Sequence, residues 1–496
     1  MSLVFSKAKN GMPICSCNGI FLHSTYNPLR EAERFVNLSS CSFIPSSVCI
    51  VEPALSYCFK FLRGKFPFSQ LSVIRLSHDF DAYNDGWDHI FYCCSCEDLS
   101  EQLFDMLGEN GIMTTFFISW DSSEKAFPVF FSQAWTEIKK AVIKSRTVLE
   151  TRTYFTARWL KNLCVFFKNI RKTAVIKTGT SPILITASGP SLADAVPFIK
   201  KFRTSFFLIA VSSSLDVLFY HQIIPDLCIS TDGGFWAKKH LETLRKYTTL
   251  LPLALSPEAA CSPQLLSDVA IVPLSYGSEI EKSFFSSFGI TAHSARRNGT
   301  VSGTAVELAL SLTSGPVFCC GLDLSPGKGY QHTQPNRLEM ENCSADNRLK
   351  TKETRSAASE FLSPSLAIYR SWFSSRGTAM TSRLFRLSDN FPFTTKLGTI
   401  KDVDWNFFLE HSNPKCIPPE ILISDIKEYD DRNRCNKIKT TLDSLKTGNV
   451  WLENAFPTDF ISYLRSGTTE QKNIYKERLD KKNAELIKKL EDLVCV

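Results

Sequence analysis

The chain reads as an α/β protein built around a doubly wound, mainly parallel sheet. Three observations predict this. Short, continuously apolar, β-rich runs recur between residues 182 and 322; helical stretches separate them; and small polar or acidic turns follow the runs. Apolar strands alternating with helices imply a parallel sheet covered on both faces, wound by right-handed crossovers.

The runs fall at 183–186, 206–211, 227–230, 250–255, 270–274 and 316–320. Upstream, Asn27 and Pro28 suit the cap and first position of a helix over 29–36. Strand-like 47–51, a helical stretch at 54–62 and strand-like 71–76 then suggest a β-α-β unit. From 135 to 170 the pattern is helical, and the Gly and Pro punctuation of 177–182 sets a boundary near residue 172. After about Gln334 the chain turns polar, then helical to its end, with Leu479, Leu486, Leu490 and Leu493 close to heptad spacing in the last helix. The expected layout is a smaller α/β domain over 1–134, a helical connector over 135–171, a ligand-binding α/β domain over 172–340 and a mainly helical region over 341–496.

Length and composition agree with several folded domains: 496 residues, 44% hydrophobic and 22% charged. The net charge of +7 is spread along the chain without a long basic run, which argues against nucleic acid and suits an anionic small molecule or surface. Seventeen cysteines, an odd and scattered set with no secretory signal before them, read as reduced thiols of a cytoplasmic protein. No apolar run approaches the roughly 20 residues of a membrane span. Cys93 and Cys96 form a single C-x-x-C without a second pair, so no metal site is expected. Nucleophile-elbow, zinc-protease and Walker A motifs are missing, and no complete dinucleotide fingerprint is present.

The chemistry-bearing residues cluster in the turns. Ser188, Gly189, Pro190 and Ser191 join the first run to a helix, where backbone amides and a helix N-terminus can meet a phosphate; equally, the turn can be a plain N-cap, with Ser191 and Asp194 as a capping-box-like pair. Ser212, Ser213 and Ser214 follow the second run and either cap the next helix or bond a ribose or phosphate. Asp232 stands beside Gly233 and Gly234 after the third, as a turn residue or as a ligand for a ribose hydroxyl, an acceptor or, less favoured without a second nearby acid, a metal. Farther on, Arg296 and Arg297 precede Asn298, Gly299, Thr300, Ser302, Gly303 and Thr304. That segment suits an anion or simply opens a buried helix over 306–312, Thr304 and Glu307 making its capping box. Finally Asp323 follows the last run, and His332 comes shortly after Gly327, Lys328 and Gly329; an acid and an imidazole there can supply acid–base chemistry near neutral pH. If the sheet is parallel, all these turns converge on one cleft within roughly 183–335.

Taken in order, 183–192, Ser212 to Leu215, Ile224-Pro225-Asp226-Leu227 with Ser230-Thr231-Asp232, Gly299 to Ser302, and Cys320 to Leu324 with His332 resemble the bacterial motility accessory factor (Maf) family of flagellin glycosyltransferases, whose domain is also called 6-hydroxymethylpterin pyrophosphokinase MptE-like. The segment Leu22-His23-Ser24-Thr25-Tyr26-Asn27-Pro28 and the helix around Trp159 to Asn162 resemble its upstream parts. One departure is that Leu322 directly follows Gly321, where the family carries Gly-Gln before its Asp-Leu pair.

The resemblance implies a Rossmann-like, sialyltransferase-like core that moves a nonulosonic acid, pseudaminic or legionaminic in type, from a CMP-activated donor to Ser or Thr of flagellin in the cytoplasm. It implies that Ser188–Ser191, Ser212, Ser213 and Asp232 surround the nucleotide and that 298–304 closes over phosphate or sugar. Arg296 or Arg297 then meets the leaving phosphate, Asp323 and His332 face the reaction, and His332 or Asp232 serves as base. No tightly bound cofactor is expected, while a divalent metal requirement and the oligomeric state stay open. Two other readings remain: a pterin pyrophosphokinase-like enzyme, and a non-catalytic nucleotide-binding factor of flagellar assembly.

Overall fold

The structure is a computed structural model, and it describes all residues except 1–2, 95–97, 248–250, 326–329, 350, 352–353, 355–363, 389–394, 413–415, 427–429 and 496. Cys96, Leu250 and the Gly327 to Gly329 segment therefore lie outside the described residues. The chain forms two compact units: Met1–Thr156 with Trp451–Leu486, and Ala157–Val450 with Ile487–Val496.

The first unit holds a three-stranded antiparallel sheet, β1 (Leu3–Lys7), β2 (Pro13–Cys17) and β3 (Ile20–Phe21), and a four-stranded parallel one. The latter comprises β4 (Ser47–Val51), β5 (Gln70–Arg75), β6 (His89–Tyr92) and β7 (Thr115–Ser119) in the order β6-β5-β4-β7. Its β-α-β beginning is as expected, and Asn27 caps the helix Pro28–Leu38 by accepting from the Arg30 amide. The helix expected at 54–62 instead starts at Phe59, because Glu52, Ala54 and Ser56 take positive φ in the turn after β4. That turn wraps a fully buried ion pair: Arg75 Nη1 lies 2.9 Å from Glu52 Oε1, and the guanidinium also donates to Asn84, Ser56 and the carbonyls of Ala54 and Tyr83.

The second unit carries an eleven-stranded sheet: β8 (Lys172–Lys177), β9 (Ile183–Thr186), β10 (Phe207–Val211), β11 (Leu227–Ser230), β12 (Leu253–Leu255), β13 (Ala270–Ser275), β14 (His293–Ser294), β15 (Val317–Cys320), β16 (Leu384–Leu387), β17 (Lys401–Val403) and β18 (Glu420–Asp425). The order is β17-β16-β15-β9-β10-β11-β12-β13-β8-β18, with β14 on β13. Every pairing is parallel except that of β18 with β8. Strands β9, β10, β11, β12 and β15 are buried along their whole length, as continuous apolar runs require. From β9 the chain winds one way through β10, β11, β12 and β13, and later returns to the other side of β9 through β15. The switch in direction therefore lies between β9 and β15, and their carboxyl ends bear the Ser188–Ser191 and Gly321–Asp323 turns.

Helices predominate among the described residues of 341–496, but β16 and β17 extend the parallel sheet and β18 closes its other edge, which the helical reading did not anticipate. Their signal is weak: β16 carries a buried arginine, Arg386, whose charge is met by Asp402 of the neighbouring β17 at 2.6 Å, and β18 is exposed along nearly its whole length. The last helix, Thr469–Cys495, buries Leu479, Leu486 and Leu490, together with Ile487 and Val494. Among the described residues no helix is long and apolar enough to cross a membrane.

Candidate functional site

All the predicted turns lie at carboxyl ends of strands in the second unit, but two of them do not do what their residue types suggested. After β9, Ser191 does not cap the helix Leu192–Lys201 with its side chain. Its amide donates to Asp323 Oδ2 at 2.7 Å and its hydroxyl to Oδ1 at 2.5 Å. Gly189 donates to the Gly321 carbonyl at 2.7 Å and Leu192 to that of Gly189 at 3.0 Å. An internal carboxylate thus occupies the place at this helix N-terminus where an external anion would sit. Asp323 is turned inward and 1% exposed, which corrects its expected position facing the reaction. Burial pushes its pKa up against the lowering effect of the Ser191 bonds and nearby Arg386. Asp194, expected to complete a capping box, lines a cavity of about 230 Å³ with Ser191, Phe198 and Trp405.

The arginine pair is split as well. Arg297 lies 2.5 Å from Glu258, and its guanidinium is 4.8 Å from the ring centroids of both Trp159 and Tyr276. Its charge is already answered, although its side chain stays 38% exposed in the concave rim. Arg296 turns away to line a cavity with Glu307, Met380 and Arg383. Two neighbours in an extended segment point to opposite sides, so they do not form one phosphate clamp. Close by, Glu281 is 1% exposed, and burial together with the Glu258 charge pushes its carboxyl up to about 7.

The remaining predicted residues do come together on the rim. Ser188 and Ser213 join their hydroxyls at 2.8 Å across the ends of β9 and β10, while Ser214 turns inward to the Thr186 and Val211 carbonyls. Asp232 is exposed and braces its own turn by accepting from the Gly234 amide at 2.8 Å. Beneath Trp159 the next residue must be glycine: a Cβ on Gly233 would stand 2.8 Å from the indole. Asn162, one helical turn on, donates to the Glu258 carbonyl at 2.7 Å and so ties the Trp159 helix to the rim.

The helix expected over 306–312 begins five residues earlier, as Val301–Leu312, with Thr300 at its N-cap and no side chain capping it. Thr304 therefore lies inside the helix and donates to Asn298 Oδ1 at 3.1 Å, which replaces the proposed box with Glu307. Unlike the Leu192–Lys201 terminus, this one has no carboxylate bonded to it among the described residues. Tyr369 reaches across it: its ring lies 4.0 Å from where a Cβ of Gly299 would be, and the Asp232 charge, after burial, raises its pKa.

His332 reaches the same rim because its segment is stitched to it. Thr333 donates its amide to the Ser188 carbonyl at 2.8 Å and its hydroxyl to that of Gly189, and buried Asn336 donates to the Ser213 carbonyl at 3.1 Å. His332 Nδ1 lies 3.2 Å from Glu339 Oε1. His240, 7% exposed, sits within reach of the charges on both His332 and Asp232; burial foremost, then His332, lowers its pKa to about 4, so it is neutral at pH 7. Sequence reasoning missed Trp159 as a site residue, Glu258, Tyr276, Glu281, His240, Glu339 and Tyr369. Only Trp159, already singled out as an aromatic near the boundary, carried a visible signal. Among the described residues no three His, Cys, Asp or Glu side chains are placed to hold one metal ion.

The second unit is a doubly wound α/β domain whose turns share one rim, and part of it matches a known family. Residues 156–329 match the family described as 6-hydroxymethylpterin diphosphokinase MptE-like, and this stretch is an MptE-like domain. The family resemblance carried by the turn motifs is met there. An uncharacterized protein of Treponema pallidum (strain Nichols) is 32% identical over 298 residues, 59% of this chain and 64% of that protein's length. Among solved structures, one described as that of a MAf glycosyltransferase from Magnetospirillum magneticum AMB-1 is similar with a TM-score of 0.49 and 13% identity, covering 100% of this chain and 90% of that one.

Proposed function

We propose that the chain is a glycosyltransferase that moves a nonulosonic acid from a CMP-activated donor to a Ser or Thr hydroxyl of flagellin in the cytoplasm. One observation carries the reading: an uncapped helix N-terminus, an exposed carboxylate and a carboxylate-backed imidazole share one sheet rim beside an aromatic wall. The donor's phosphate belongs at the Thr300–Gly303 terminus, where backbone dipoles stabilise the departing negative charge. Asp232, Ser188 and Ser213 bond ribose or sugar hydroxyls, and Trp159 and Tyr369 give the flat faces that sugars and bases pack on. His332 takes the acceptor proton. Holding donor and acceptor in register accounts for most of the acceleration such a reaction needs.

Titration calorimetry tests the nucleotide. CMP is expected to bind more tightly than ATP, and Asp232→Ala to weaken CMP about tenfold or more, the scale of one lost charged hydrogen bond. In the source organism, loss of the gene is expected to lower the intact mass of flagellin by its glycan; an unaltered mass sinks the transferase reading. The name of the matching family favours a second reading, pyrophosphate transfer to a pterin. Magnesium-dependent preference for ATP would point there.

A further inference from the structure

His332 is held by an arrangement that no motif exposes, and we infer that Glu339 is the positioning residue that directs Nε2 of His332, rather than Nδ1, to the acceptor hydroxyl. The inference rests on the transferase reading. Glu339 is 1% exposed in the first turn of the helix Arg337–Ala345, whose N-cap Asn336 accepts from the Leu338 and Glu339 amides. Its Oε1 accepts from the amides of Gln331 at 2.9 Å and His332 at 3.1 Å, and faces His332 Nδ1 at 3.2 Å. Burial alone would raise this carboxyl, but the His332 bond, the imidazole charge and the two amides outweigh it and hold it below the ordinary range. A carboxylate only accepts, so Nδ1 carries hydrogen in both ring states and the neutral lone pair is on Nε2.

The ring cannot drift, because Thr333 and Asn336 pin its segment to the ends of β9 and β10. Among the described residues the nearby charges include Arg337 on the same helix, Glu242 and His240 from the segment after Asp232, Asp232 itself and Asp216 after the serine turn. His240 is neutral at pH 7 and puts no second positive charge beside the imidazolium. In the step itself the acceptor oxygen bonds to the anomeric carbon of the sugar. The bond from that carbon to the phosphate oxygen breaks, its electron pair leaves with CMP, and the acceptor proton passes to Nε2. Glu339 stays ionised and stabilises the imidazolium through Nδ1–H.

Two measurements on the full chain test this. With ¹⁵N-labelled histidine at mildly alkaline pH, the His332 signal, identified by its loss in His332→Gln, is expected to be the Nδ1–H tautomer and to shift toward Nε2–H in Glu339→Ala. A wild-type Nε2–H tautomer overturns the inference. CMP release from CMP-pseudaminic acid with flagellin as acceptor is the second readout. Glu339→Gln is expected to lower kcat about tenfold or more with donor KM within about twofold. His332→Gln should cost about a hundredfold, and the double variant no more than His332→Gln alone. Full kcat in Glu339→Gln, or additive losses in the double variant, would refute the positioning role. A wild-type chain that releases no CMP overturns the transferase reading alone, and the tautomer then decides the assignment.

Discussion

At the scale of single residues, Asp323 teaches the most. An acid after a strand in an α/β sheet invites a catalytic reading, yet its two oxygens are consumed by the Ser191 amide and hydroxyl. Its work is to tie the turn after β15 to the turn after β9. Ser191→Ala leaves the buried carboxylate with one partner fewer and is expected to lower stability by about 1–3 kcal/mol, read as a lower urea midpoint. Gly321→Ala should be worse than that, because Gly321 sits at φ 67° and a Cβ there would lie 2.3 Å from the Ala187 carbonyl oxygen. If Gly321→Ala unfolds at the wild-type midpoint, the two turns are not locked as described. The residue types at both turns were legible in the sequence; the direction in which Asp323 points was not, since its partner is 132 residues away.

At the scale of elements, two helices begin on the same rim and end up with opposite fates. Leu192–Lys201 has its N-terminus filled by Asp323, whereas Val301–Leu312 starts at an uncapped Thr300 beside Gly299 and Asn298. The sequence pointed to both turns equally, because small polar residues before an apolar stretch look alike whether an inner carboxylate or a ligand completes them. The helix Glu279–Phe288 adds a pH-dependent element. Its capping box joins Ser278 and Glu281, and Glu281 is protonated in the folded state up to about pH 7 against an ordinary value of 4.5. The folded chain therefore holds a proton that the unfolded chain gives up between these values. Stability from this group is complete below pH 4.5 and is lost as pH rises through about 7, by up to about 3 kcal/mol. Glu281→Gln, which can still serve the box, is expected to flatten that part of the stability profile in denaturant titrations run across the range. An unchanged slope would show that Glu281 is ionised throughout.

At the scale of the whole molecule, the polar C-terminal stretch matters more than its composition suggested. A cut at residue 340, where the sequence placed a boundary, removes β16, β17 and β18 from the sheet, along with Arg386, which donates to the Leu322 carbonyl beside Asp323. A fragment of 157–340 is expected to lose cooperative unfolding and near-ultraviolet circular dichroism; a sharp transition in it would show that the core stands without those strands. The parallel sheet of the first unit has a comparable rim, but the turn after β4 is closed by the buried Arg75–Glu52 pair and its satisfied donors. This is why the candidate chemistry is assigned to the second unit.

The sequence by itself determined the strand-turn-helix order of the core, the parallel character of its sheet and the residue types along its rim. These follow from apolar runs and turn residues that act over a few positions. Only the tertiary structure decided which side chains meet: Asp323 with Ser191, Arg297 with Glu258 across 39 residues, Arg386 with Asp402, and Glu339 with His332 through the turn capped by Asn336. Such pairs leave no periodic trace, because burial of a charge is stabilised by a partner that folding alone brings near.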